Sequence, residues 1–152
     1  MTVWLYQMNP AKIFADGGTY TIADFQNDLA TPTLFYWRTR NIIPKTQKPK
    51  AGDTILYWFV AAGTENPGLY GLGVIFGFGI REEEGTKYQE WISHLPIHPS
   101  KYLRKNPLYN TEIKKLINKI RDKQQSFGTM FKINNNDATK LFNQIQEIVE
   151  TE

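Results

Sequence analysis

Two periods of hydrophobic positions run along the chain. Residues 2–8 alternate, with Val3 and Leu5 facing one way and Trp4, Tyr6 and Met8 the other. That period of two predicts a strand, and Asn9-Pro10 ends it. Thr21-Ile22-Ala23-Asp24 matches a capping box, and Ile22, Phe25 and Leu29 continue at helical spacing up to Pro32. Residues 33–39 predict a strand with Phe35 and Trp37 on one face and Leu34, Tyr36 and Arg38 on the other. Lys50-Ala51-Gly52-Asp53 reads as a turn into residues 54–60, which are apolar on both faces and so predict a central strand. Over residues 69–79, large side chains (Tyr70, Leu72, Val74, Phe76, Phe78) alternate with Gly71, Gly73, Ile75 and Gly77. A strand with glycines on one face bends or lets another part of the chain come close. Residues 88–97 form a further predicted strand and residues 129–133 a last short one. Thr111 is the expected cap of a helix carrying Ile113, Leu116, Ile117 and Ile120 at i, i+3, i+4 and i+7. Residues 137–150 predict a helix with Ala138, Leu141, Phe142, Ile145 and Val149 on one stripe. The sum is an α+β fold, a small curved barrel of about six strands with about three flanking helices.

Composition narrows this picture. A chain of 152 residues fits a single domain over residues 1–152. Cysteine is absent, which excludes a disulfide framework, a thiolate metal site and a cysteine nucleophile, and fits a reducing cytoplasm. The longest mostly apolar run, residues 69–80, is shorter than the ~18–20 residues of a membrane-spanning helix. The start Met1-Thr2-Val3-Trp4 lacks the basic segment of a signal peptide. Aromatics make up 14% of the chain, enough for surfaces that stack on a flat ligand or for a barrel filled with large rings.

Charge is distributed unevenly. Residues 29–52 hold no acid but carry Arg38, Arg40, Lys45, Lys48 and Lys50. Residues 101–123 carry Lys101, Arg104, Lys105, Lys114, Lys115, Lys119, Arg121 and Lys123 against Glu112 and Asp122. Acids gather at Glu82-Glu83-Glu84 and near the end, at Glu147, Glu150 and Glu152. Such displacement leaves local positive fields that favour polyanions. Lys114, Lys115 and Lys119 fit a solvated helix face; the 38–50 stretch, with aromatics alongside, fits a phosphate-facing surface.

Catalytic constellations are scarce. His94 and His98 are separated by Pro96, so they cannot form a helical metal pair, and they read as packing or surface residues. The three consecutive glutamates share one solvated setting, which does not split pKa values as paired catalytic carboxylates require. The glycines at 71, 73, 77 and 79 do not open a helix as a nucleotide-binding loop does. No catalytic residues, metal or cofactor are expected. The aromatic and basic combination remains. Trp37 sits beside Arg38 and Arg40, Trp58 lies in the next long predicted strand, and Tyr6 and Asn9 close the first one. Rings on neighbouring strands can sandwich a base, and an Asn amide can read its edge. The same rings also serve as core filling.

Four segments, in order along the chain, resemble EVE domains. Trp4-Leu5-Tyr6-Gln7-Met8-Asn9-Pro10-Ala11-Lys12 is similar to the family's W-x-x-Q-x-N-P-x-[KR], and Lys50-Ala51-Gly52-Asp53-Thr54-Ile55-Leu56-Tyr57-Trp58 to its x-x-G-D-x-V-x-F-W. Gly68-Leu69-Tyr70-Gly71-Leu72-Gly73-Val74 resembles G-I-Y-G-I-G-x-V. Arg121, Gln125-Ser126 and Phe131-Lys132-Ile133 resemble R-x-x-Q-x-[ST]-x-F-x-I. EVE domains belong to the PUA-like superfamily and are related to YTH domains. The resemblance implies a bent barrel that reads modified nucleobases, often as the targeting module of a modification-dependent restriction or defence system. It implies that Trp37 is a cage wall, that Met8 and Asn9 line the pocket and that Arg121 lies near the nucleic-acid backbone. YTH domains draw a second cage Trp from the loop after the long strand. Here residues 81–86 are acidic and hold no Trp, so Trp58 or Tyr70 is expected to complete the cage.

The expected pocket is therefore Trp37, Trp58, Tyr6, Met8, Asn9, Tyr70 and Arg38. The expected backbone contacts are Arg40, Lys45, Lys48, Lys50, Lys101, Arg104, Lys105 and Arg121. The expected function is binding DNA and flipping a modified base into an aromatic pocket, with a fused or associated nuclease or NTPase domain as partner. An RNA reader, a small hydrolase of modified nucleotides and a binder of a free ligand are the rival readings.

Overall fold

The computed structural model describes residues 2–9, 17–30, 33–39, 42–43, 46–60, 66–83, 87–97, 106–124 and 130–150. Among them are β1 (Val3–Met8), α1 (Ile22–Ala30), β2 (Phe35–Arg38), β3 (Ile42–Ile43), β4 (Thr54–Phe59), β5 (Gly68–Glu83), β6 (Lys87–Ile97), α2 (Thr111–Gln124), β7 (Met130–Ile133) and α3 (Asn135–Glu150). The seven strands form one sheet in the order β2-β6-β5-β4-β1-β7-β3. β1 runs parallel to β4 and antiparallel to β7, while β4, β5, β6 and β2 pair antiparallel in turn. The expected α+β architecture is present, and the hydrogen-bond ladder stays open between the edge strands β2 and β3.

The sheet is rolled. β2 and β1 lie four places apart in the ladder, which in a flat sheet would separate them by roughly 19 Å. Yet Trp37 on β2 lies 5.0 Å, ring to ring, from Tyr6 on β1, and the Tyr6 hydroxyl donates to the Arg38 carbonyl at 2.6 Å. All seven strands and α1 contribute to one inner cluster, among them Trp4, Tyr6, Met8, Phe25, Phe35, Ile42, Tyr57, Phe59, Tyr70, Ile92 and Met130. A second cluster lies on the outer face, where α2 and α3 cover Val3, Leu5, Leu56, Trp58, Phe131 and Ile133. The alternation read in β1 is thus the division between the two cores. β4 is buried on both faces from Ile55 to Phe59, as its unbroken apolar run predicts.

Local signals hold where their chemistry is short-range. Thr21 and Asp24 form the reciprocal capping box, with the Asp24 amide donating to the Thr21 hydroxyl at 3.1 Å and the Thr21 amide to the Asp24 carboxylate at 2.9 Å. α2 is capped by Asn110, whose side-chain oxygen accepts from the Ile113 amide at 2.9 Å, one residue before the expected Thr111. Asn134 caps α3 in the same way, accepting from the Asp137 amide. β3 was not expected: two residues give no readable alternation, and only pairing with the remote β7 makes them a strand. β5 runs to Glu83, past the expected end at residue 79, because its partner β6 continues opposite it to the Glu83–Lys87 pair. Among the described residues no helix is long and apolar enough to cross a membrane.

One carboxylate ties the start of the chain to the central turn. Asp53 is buried and accepts from the Thr2 amide at 3.1 Å, the Trp4 indole nitrogen at 3.0 Å and the Lys50 amide at 2.9 Å. Gly52 makes the turn possible by taking φ +93°, a conformation that costs a β-carbon residue strain. Removing Asp53 strands three donors, one of them an indole N–H in the inner core. Asp53→Ala should lower unfolding free energy by about 3 kcal/mol in urea titrations, given that hydrogen bonds to charged groups are worth ~1.5–3 kcal/mol each and are not additive.

Candidate nucleic-acid interface

Edge strand β2 has two different faces. Phe35 and Trp37 point inward. Tyr36 is exposed on the other side, and Arg38 lies 5.7 Å over the ring of Trp91 on β6. Trp37 is half-buried at the margin of the inner cluster. It stacks nearly parallel on Phe35 (5.4 Å, 10°) and meets Tyr6, Tyr20, Phe25, Tyr57 and His94 at an angle. The His94 contact is the shortest, 4.4 Å between ring centroids. α1 supplies Phe25 to this group, and the capping box at its start places Tyr20 beside the indole. The Tyr20 hydroxyl donates to Asp28 at 2.6 Å. Burial, followed by that bond to Asp28, holds its ionisation well above the usual phenol range.

Behind Trp37 lies a buried polar pair. Tyr57 Oη and His94 Nδ1 are 2.7 Å apart. Gly73 makes room for them, since a β-carbon there would collide with the Tyr57 hydroxyl. When Tyr57 donates to Nδ1, its hydroxyl proton is satisfied and the imidazole proton resides on Nε2; the reverse arrangement leaves both the hydroxyl proton and the Nε2 lone pair without a partner. Burial pushes the His94 pKa down to about 3 and the Tyr57 ionisation far up, so both are neutral at ordinary pH.

The expected site residues divide between the two faces. Tyr6 meets Trp37 directly, and Met8 and Tyr70 belong to the same inner cluster; the Tyr70 ring packs on Phe59, and its hydroxyl donates to the Asn66 carbonyl. Asn9 is exposed at the end of β1. Trp58 is not brought to Trp37. It lies in the outer cluster, 6.0 Å from Tyr109, because residues 57 and 58 point to opposite faces of β4. Lys48 pairs with Glu90 at 3.0 Å and lies 5.7 Å over Phe78, while Glu90 accepts the Thr39 amide through its backbone carbonyl. These contacts set Lys48 at the margin of the β2–β6 end of the site. The Lys50 side chain is exposed nearby in sequence. Arg121 is half-buried on α2, the helix that covers the outer face. Arg40, Lys45, Lys101, Arg104 and Lys105 lie outside the described residues. Of the helix lysines read as solvated, Lys119 pairs with the buried Asp137 at 3.3 Å and Lys114 lies 5.3 Å over Tyr109. His94, read from the sequence as a packing or surface residue, is fully buried; its parity within β6 is visible in the chain, but its partner Phe35 is not. Among the described residues no group of three or more His, Asp or Glu could hold a metal.

The depressed His94 pKa has a consequence for stability. Unfolded, the ring takes a proton below about pH 6.5; folded, it resists until about pH 3. Stability from this group is therefore complete above about pH 6.5 and is lost as pH falls towards 3, with a slope of at most ~1.4 kcal/mol per pH unit. Denaturant midpoints measured between pH 7 and 5 should fall less steeply for His94→Phe than for the wild type.

No family model matches the chain, and no curated protein does. A solved structure does: human THYN1 protein in complex with 5-methylcytosine-containing DNA, with a TM-score of 0.64 at 10% sequence identity, covering 95% of this chain and 98% of the other. At that identity the likeness shows the fold. The chain therefore shares the fold of that protein, a curved α+β sheet with flanking helices of the kind its sequence predicts.

Proposed function

We propose that the protein is a reader of modified DNA that takes a modified base against Trp37. What carries this reading is the placement of Trp37, a half-buried indole at the margin of an aromatic cluster on an edge strand. The shared fold supports it, since human THYN1 has been captured on 5-methylcytosine-containing DNA. An indole of this kind offers a base ~1–3 kcal/mol of stacking. The base leaves the duplex to reach it, at a cost of a few kcal/mol, which phosphate contacts offset. Arg38, Lys48 and Lys50 are the described cations of the surrounding stretch, and Arg40 and Lys45 join them in the proposal. Burial of a methyl group contributes only ~0.8 kcal/mol, so most selectivity has to come from polar groups. In this reading the chain's task is recognition. Cleavage or remodelling of the DNA, as in a restriction or defence system, falls to a fused or associated nuclease or NTPase domain.

Binding to matched oligonucleotides with and without 5-methylcytosine tests the reading, with single-stranded DNA and RNA versions run at the same salt. Trp37→Ala should lower affinity for the modified duplex by about tenfold or more, with a retained cooperative melt. Trp58→Phe, on the opposite face, should leave affinity within twofold. Tightest binding to the RNA version would favour an RNA reader instead.

Phosphate contacts make a second, separable prediction. Each cation that neutralises a phosphate contributes ~0.9 to the slope of log affinity against log salt. Lys48→Ala with Lys50→Ala should flatten that slope by about 2, equally for modified and unmodified duplexes.

A further inference from the structure

Among the rings that meet Trp37, Tyr20 stands apart. Phe35 lies nearly parallel to the indole at 5.4 Å and covers one of its faces. Tyr6, Phe25, Phe35, Tyr57 and His94 are all buried, on strands or on the inward stripe of α1, and none of them yields without opening the inner core. Tyr20 is half-buried and packs against that core from its margin, as Trp37 does. It stands one residue before the Thr21 cap of α1, where its ring makes the hydrophobic staple with Phe25 at 6.4 Å. It meets the indole edge-on, at 5.9 Å and 74°. Its hydroxyl reaches forward along α1 to the exposed carboxylate of Asp28 at 2.6 Å, the length of a charge-assisted bond. Among the described rings around the indole, Tyr20 is thus the one that packing leaves able to move aside for a base arriving from solvent.

We propose that Tyr20 is both the gate and the second wall of the base slot, latched shut by Asp28 in the free protein. This rests on the base-reading function above and names what controls entry to that site. A base held between two rings sets them parallel and about 7 Å apart, two steps of the ~3.4 Å base rise. At 5.9 Å and 74° the two rings leave no such gap, so the slot is shut as it stands. Rotation of Tyr20 off the indole edge turns a ring face towards the base and breaks the bond to Asp28. That bond lies at the exposed margin, where water takes over both of its ends, so opening costs the latch and little else. The latch lowers affinity by the fraction of molecules whose slot is open, and it does so equally for every base. Phe at this position keeps the ring and loses the latch, whereas an aliphatic residue loses both.

The test uses the full chain, a duplex carrying 5-methylcytosine and rapid-mixing kinetics. Tyr20→Phe should bind about threefold tighter than the wild type, with the gain in the association rate and the dissociation rate unchanged, because the latch exists only in the free protein. Tyr20→Leu should bind about fivefold or more weaker than Tyr20→Phe, because the second stacking partner is gone. Opposite effects at one position separate the proposal from a structural role, in which both changes weaken binding. In the Tyr20→Phe background, Asp28→Ala should alter affinity by less than about twofold at a salt concentration that screens the lost charge. Tyr20→Phe loses one hydroxyl at the margin and keeps the packing, so its association rate decides even where Tyr20→Leu fails to fold. A Tyr20→Phe that binds no tighter than the wild type overturns the proposal, as does a folded Tyr20→Leu that matches Tyr20→Phe. In either case a weakened Trp37→Ala leaves base reading at Trp37 standing. If Trp37→Ala binds as the wild type does, the base is seated elsewhere and the underlying reading falls as well.

Discussion

The rolling of the sheet is the constraint from which the rest follows. Among the described residues no ladder joins β2 to β3, and side chains hold the roll. The Tyr6 hydroxyl grips the Arg38 carbonyl, and the Tyr6 and Trp37 rings meet across the inner space. A small rolled sheet leaves an interior that a few large side chains fill better than many small ones, which gives the high aromatic content a structural purpose. The rings that close the roll are also the rings a base would meet under the proposed function, so there packing and recognition would share atoms.

Polar groups also lie within this aromatic core. Tyr57 and His94 satisfy each other, and the bare backbone of Gly73 leaves the space they need. A Leu–Phe pair there would pack without any hydrogen-bonding requirement. A buried neutral imidazole instead costs stability as the pH falls, and among the described residues its Nε2 has no hydrogen-bond partner. Proteins depart from the most stable packing mainly where function asks for it. Asp53, by contrast, has three donors around it and acts as a structural pin between the start of β1 and the turn before β4.

The outer face has a different character. Its cluster is aliphatic over most of its area, two amphipathic helices seal it, and Trp58 is built into it. Two helix cations there have local partners, Lys119 on Asp137 and Lys114 over Tyr109. The basic run before β4 is placed otherwise: Lys48 spans from the loop to Phe78 and Glu90 at the end of the ribbon next to β2. Among the described residues, Lys48 thus borders the aromatic cluster, while Lys114 and Lys119 lie on the helix that covers the outer face.

Much of this molecule was legible in the chain itself. The division of β1 into two faces, the two-sided burial of β4, the stripes of α2 and α3, the capping box at Thr21 and the turn at Gly52 are all marked by patterns among residues a few positions apart. Periodicity and turn chemistry report such patterns directly. Alternation also shows which residues of one strand share a face. It does not show which face of one strand coincides with which face of another. That depends on register and on the roll of the sheet, which are set by contacts between remote segments. Hence Trp58, a natural partner for Trp37 by composition, lies on the far side, and His94, read as packing or surface, stands against the indole. The two-residue β3 is the same case in miniature, since only its remote partner gives it a conformation.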